Sequence, residues 1–144
     1  MSVWITVELE KSSPTIHRQA IGRGNYGQMI ATFGDQLDRL ARKKKVTPLG
    51  KFTALDPDIV DEFVELGKSL GEKLDASKYA AGWFDPAEGF KTAKTLLATF
   101  QANPKSLGKL GHYQPEEIIY DLDLLTKVLK LAAERKVRFR LIAA

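Results

Sequence analysis

The sequence predicts a single α+β domain over residues 1–144, a small sheet that includes the N- and C-terminal strands and packs against about four helices. Three observations predict it. Residues 3–9 and 137–141 alternate apolar and polar side chains, the period of a half-buried strand. Four stretches between them carry apolar residues at helical spacing. The length of 144 residues is that of one domain, with enough apolar residues (44 %) to fill one core.

Taken in order, Val3, Ile5, Val7 and Leu9 share one face of the first strand, with Trp4, Thr6 and Glu8 on the other. Residues 11–27 are rich in Ser, Pro, Gly and Asn and read as a loop. One helix is expected from Gly27, burying Met29, Ile30, Phe33, Leu37, Leu40 and Ala41 against a polar face of Gln36, Asp38, Arg39 and Arg42. It ends in Arg42-Lys43-Lys44-Lys45, cations that suit the negative end of the helix dipole.

A second helix is expected from Asp56-Pro57, with Asp56 as cap and an apolar face of Ile59, Val60, Phe63, Val64, Gly67 and Leu70. Asp85-Pro86-Ala87-Glu88 begins a third, with Asp85 as cap, Glu88 placed to reach back in a capping box, and Phe84 placed as a staple near Gly89-Phe90. Its stripe is Phe90, Ala93, Leu96, Leu97 and Phe100, and Asn103-Pro104 closes it. Pro115-Glu116-Glu117 opens the fourth, with Ile118, Ile119, Leu122, Leu125, Leu129 and Ala132 inward and Asp121, Asp123, Lys127 and Lys130 outward. Val137, Phe139 and Leu141 then alternate with Arg138 and Arg140 as the last strand. Further strands are expected within 46–54, 76–84 or 106–114.

Charge is uneven. The net +4 divides into +5 over residues 1–55, −6 over 56–90 and +5 over 91–144. Such a layout fits a partner surface of mixed sign better than a uniform polyanion. The chain has no cysteine, which removes disulfides and thiolate chemistry. The first residues lack the pattern of a secretory signal, and no apolar run reaches the roughly 20 residues of a membrane span. A soluble, cytoplasmic protein is expected.

Gly22-Arg23-Gly24-Asn25-Tyr26-Gly27 has the spelling of a dinucleotide-binding turn. The strand directly before it and the βαβ context that the chemistry requires are missing. The free N–H groups of the helix start that follows offer a weak anion site. Arg39, Lys43, Lys44 and Lys45 form the densest basic cluster and are candidate anion-binding residues. No aromatic residue interleaves them for base stacking, so nucleic acid is a lesser alternative. His17 and His112 lie far apart in expected loops, and no elbow surrounds a serine. No catalytic residue, cofactor or metal site is expected. Tyr79, Trp83, His112 and Tyr113 are candidate pocket residues for a small-molecule binder or enzyme.

The run from Trp83 to Thr92 (Trp-Phe-Asp-Pro-Ala-Glu-Gly-Phe-Lys-Thr) carries a resemblance, together with Leu37-Asp38-Arg39-Leu40-Ala41, Val46-Thr47-Pro48-Leu49 and Val137-Arg138-Phe139-Arg140-Leu141. On these residues the chain resembles a family of small uncharacterised bacterial α+β proteins, and more distantly is similar to YfbM-like proteins. The resemblance implies a small bacterial α+β domain and transfers no activity or site residue. The chain departs from the family in its glycine-rich 22–27 loop and its Lys43-Lys44-Lys45 run.

The function expected from these observations is that of a protein-binding or regulatory domain, with an immunity-type protein as one concrete form. Asp58, Asp61, Glu62 and Glu65 on the acidic segment are candidate partner-binding residues, because they would steer a basic partner.

Overall fold

The two alternating segments pair with each other. In the computed structural model, which describes residues 5–10, 27–54, 65–66, 69, 71 and 83–143, β1 (Ile5–Leu9) runs antiparallel to β3 (Phe139–Ala143). The register sets Val7 opposite Leu141 and Leu9 opposite Phe139, so the apolar faces coincide. A two-residue strand, β2 (Thr53–Ala54), pairs parallel on the other side of β3, giving the order β1-β3-β2. The C-terminal strand is therefore central, and Phe139 and Leu141 are wholly buried. Of the places where a further strand was expected, 46–54 supplies β2 and 106–114 forms no strand, while 76–84 lies outside the described residues except for Trp83 and Phe84, of which Phe84 bridges Phe139.

Four α-helices lie wholly among the described residues, α1 (Gln28–Thr32), α2 (Gly34–Lys43), α3 (Pro86–Ala102) and α4 (Pro115–Glu134), and Glu65, Leu66 and Ser69 are helical as well. The sequence predicts one helix where α1 and α2 stand. The break falls at Phe33 (φ −108°, ψ 23°), just before Gly34, the poorest helix former of the stretch after proline. The turn lets the Phe33 ring meet Tyr113 edge-on at 5.7 Å. All six apolar residues expected inward, from Met29 to Ala41, are buried. The expected helix from Asp56 falls mainly outside the described residues.

α3 begins as its sequence indicates. Asp85 accepts a hydrogen bond from the Ala87 N–H at 2.9 Å, and Pro86 occupies the first position. The reciprocal glutamate bond appears at α4, where Glu117 accepts from the Gln114 N–H at 2.8 Å. The staple does not form, because the position it needs is Gly89, which has no side chain. Phe84 instead exchanges two backbone hydrogen bonds with Phe139 (2.8 and 3.0 Å), and its ring lies 5.6 Å from that of Phe52. Gly89 is where α3 comes closest to the sheet: a Cβ there would lie 2.3 Å from Phe139 Cζ.

α3 and α4 form a hairpin joined by residues 103–114. Leu96, Phe100, Ile118, Leu122, Leu125, Val128 and Leu129 are wholly buried and make most of the core. Buried Thr92 is satisfied by donating to the Thr47 carbonyl at 2.7 Å, which ties α3 to the segment after α2.

Asp121 corrects the expectation that it faces solvent. It is 5 % exposed, and its Oδ2 accepts from the N–H groups of Met29 (2.8 Å) and Ile30 (3.4 Å). A carboxylate of α4 thus caps α1 from a distance. The weak anion site expected at this helix start is filled by the protein's own side chain. Burial pushes the Asp121 carboxyl above its ordinary value near 3.8; the N–H donors of Gly27, Met29 and Ile30 oppose that shift, and Glu117 adds to it.

The folded chain consequently holds this proton more tightly than the unfolded one. The stability Asp121 contributes is fullest below its ordinary value and is lost as pH rises through the raised folded value. Asp121→Asn keeps an acceptor and cannot titrate. In urea unfolding between pH 3.5 and 8, the stability difference of Asp121→Asn minus wild type is expected to climb with pH across that window, then level off. Parallel pH curves would contradict this. Asp121→Ala leaves buried donors unmatched and is expected to cost about 1–3 kcal/mol.

Candidate anion-binding site

Gln36, Arg39, Leu40 and Lys43 fall at i, i+3, i+4 and i+7 of α2, so they share one face. That face forms one wall of a cavity of about 260 Å³ whose other wall is Ser106 and Leu107. Arg39, Lys43 and Gln36 are exposed, whereas Leu40 is buried.

The opposite wall is fixed by local chemistry. After α3 ends, Asn103 accepts from the Lys105 N–H at 3.2 Å, a side-chain-closed turn. The Ser106 hydroxyl donates to the Asn103 carbonyl at 2.6 Å. Gly108 follows with φ +73°, a left-handed conformation that suits glycine, and its N–H donates to the Lys105 carbonyl at 2.9 Å. The turn presents Lys105 and Lys109 to solvent beside the cavity residues Ser106 and Leu107.

α2 closes in a two-bond C-terminal motif. The Val46 N–H donates to the Ala41 carbonyl (3.0 Å) and the Lys45 N–H to the Arg42 carbonyl (3.1 Å), with Lys45 left-handed at φ 61°. The basic run therefore occupies the last turn and its closure, where the free carbonyls of the helix end stabilise positive charge. Lys44 and Lys45 extend the basic surface, while Arg39 and Lys43 line the cavity.

Among the described residues, no carboxylate pairs with Arg39, Lys43, Lys44, Lys45, Lys105 or Lys109. Asp38, on the same helix, accepts from the Gly50 N–H at 3.3 Å and does not line the cavity. Elsewhere the cations of the sheet are paired: Arg138 with Glu10, and Arg140 with Glu8 at 2.7 Å.

The candidate pocket residues are not brought together. Trp83 lies under the Arg140 guanidinium at 4.4 Å, at the end of the hairpin where α3 begins and α4 ends. His112 and Tyr113 stack on each other at 4.1 Å, just before α4 begins. Trp83 contacts the sheet through Arg140, whereas Tyr113 meets Phe33 edge-on at 5.7 Å. Tyr79 lies outside the described residues. So do His17, residues 22–26 of the glycine-rich loop, and Asp58, Asp61 and Glu62 of the acidic segment. Glu65 is described and exposed.

Of the cavity, the sequence singled out Arg39 and Lys43. Gln36, Leu40, Ser106 and Leu107 were missed as ligand-facing groups. The spacing 36-39-40-43 was a usable signal for one wall; the other wall depends on a contact more than 60 residues away along the chain.

Among the described residues no group of three His, Cys, Asp or Glu side chains is placed to hold a metal ion. No described helix is long and apolar enough to cross a membrane. No family model, no curated protein and no solved structure matches this chain.

Proposed function

We propose that this domain works by binding: it docks an acidic surface of a protein partner on the basic face formed by α2 and the 103–110 turn. The observation that carries the reading is the gathering of six exposed cations on this face, two of which, Arg39 and Lys43, line a cavity together with Leu40 and Leu107. Exposed lysines elsewhere, such as Lys91, Lys94, Lys130 and Lys136, also lack a carboxylate partner among the described residues, but none of them lines the cavity. Unneutralised charge on one face accelerates encounter with a surface of opposite sign and fixes its orientation.

The cavity also mixes charge with Leu40 and Leu107, which favours a protein surface over bare polyanion. It holds no aromatic platform of the kind that stacks unpaired bases. The resemblance to small bacterial α+β proteins is compatible with such a role and supplies no site of its own.

The test is affinity capture by the tagged protein from its host lysate at low salt. An acidic protein is expected in stoichiometric amount, released as salt rises past the range where exposed charges are screened. Recovery of nucleic acid alone, or of a protein whose retention ignores salt, would overturn the reading.

A further inference from the structure

The cavity itself asks for a more specific group than an acidic surface in general. Arg39 and Lys43 bring two positive charges into a space whose lining contains no carboxylate. A single partner carboxylate would leave one of them unneutralised. Phosphate on an alcohol carries about −1.5 to −2 at pH 7, which balances both.

Donor count agrees with charge count. Three lining side chains have free donors: the Arg39 guanidinium, the Lys43 ammonium and the Gln36 amide. The Ser106 hydroxyl hydrogen is already committed to the Asn103 carbonyl at 2.6 Å, so Ser106 shapes the wall and adds no donor. Three donor groups match the three terminal oxygens of a phosphomonoester. The planar guanidinium takes two of them side by side, and lysine acts as a point charge.

Size and walls fit as well. A cavity of about 260 Å³ has room for a phosphate and the short chain that carries it. Leu40 and Leu107 offer apolar surface to the carbon part of that chain.

Resting on the binding function above, we propose that the cavity of Gln36, Arg39, Lys43 and Leu107 is a phosphomonoester site that anchors a phosphorylated side chain of the protein partner. Phosphorylation of the partner then controls docking, with Lys44, Lys45, Lys105 and Lys109 supplying the surrounding attraction.

The probe is O-phosphoserine, titrated into the full chain and followed by amide chemical shifts, with glutamate as the singly charged comparison. Saturable binding is expected, at least tenfold tighter than glutamate and perturbing residues of α2 and the 103–110 turn. Arg39→Gln and Lys43→Gln should each weaken it tenfold or more, whereas Lys91→Gln, an exposed lysine outside the cavity and its basic rim, should change it less than threefold. These side chains are exposed, and an unchanged melting temperature would confirm that the variants fold. Binding should also weaken between pH 7.5 and 5.5, because the second phosphate proton returns near pH 6.

Equal affinity for glutamate, or binding that survives Arg39→Gln and Lys43→Gln together, would overturn the assignment. Phosphatase treatment of the lysate separates this inference from the broader one. Loss of capture after treatment supports the phosphate anchor. Undiminished capture of an acidic protein sinks the anchor and leaves the docking face standing, and failure of untreated lysate to yield any partner removes both.

Discussion

Gly27→Ala is expected to lower folding stability by about 3–5 kcal/mol, within reach of unfolding a domain whose total is about 5–15 kcal/mol. Two costs coincide. Gly27 has φ +109°, a conformation L side chains rarely adopt. A Cβ there would also sit 1.8 Å from the carbonyl oxygen of Ile5. That oxygen belongs to β1, and the Ile5 N–H donates to the Gly27 carbonyl at 3.1 Å. Backbone meets backbone at this point, so no side chain is free to swing aside. Relief requires either β1 or the start of α1 to move, which disturbs the sheet or the Asp121 cap. Urea unfolding followed by circular dichroism measures the loss. A midpoint within error of wild type would show that the close approach is not made in solution.

Gly89→Ala is the second large effect. The added Cβ would lie 2.3 and 2.7 Å from Phe139 Cζ and Cε1, and 3.3 Å from Leu129 Cδ1. Phe139 is wholly buried in the central strand, and its ring also packs against Phe52 at 5.2 Å, so it has little room to give. Overpacking of this kind is expected to cost about 1–3 kcal/mol. The clash is with the outer ring atoms, so Phe139→Leu should remove it. The double variant Gly89→Ala/Phe139→Leu should therefore be more stable than the sum of the two single losses implies, by about 1 kcal/mol or more in a double-mutant cycle. Strict additivity would place the cause of the Gly89→Ala loss elsewhere.

These two glycines mark what could be read in the sequence and what could not. Gly27 was legible as a loop residue before a helix, but its contact with β1 was not, since it joins residues far apart in the chain. Gly89 belongs to the Trp83–Thr92 run, where the sequence pointed to helix-start chemistry; its role is the close passage of α3 over Phe139. Periodicity succeeded where burial follows from spacing, as for Met29, Ile30, Phe33, Leu37, Leu40 and Ala41. It was overridden at Asp121, assigned outward because it is charged. Asp121 stands three residues after Ile118 and four before Leu125, squarely on the buried stripe. Spacing outranked residue type there because three backbone N–H groups of another element were waiting for an acceptor.

The sheet was legible at its two outer segments, where alternation is clean. β2 falls in one of the stretches expected to hold a further strand, but the central place of β3 was not legible, because pairing order is a property of long-range packing. The same limit applies to the cavity. Arg39 and Lys43 stood out as part of a charge run, yet what distinguishes them from Lys44 and Lys45 is the opposing wall of Ser106 and Leu107, which the turn after α3 delivers. Trp83 was grouped with His112 and Tyr113 as a candidate pocket, but its partner is Arg140, while His112 and Tyr113 stack on each other.

Docking on the basic face of α2 is tested by affinity capture run side by side with two baits that carry the same net charge. One replaces Arg39, Lys43, Lys44 and Lys45 with glutamine. The other replaces Lys91, Lys94, Lys130 and Lys136, four exposed cations outside the cavity. The first bait is expected to lose the acidic partner and the second to retain it. Equal retention by both, or loss from both alike, would show that overall charge rather than this face governs binding.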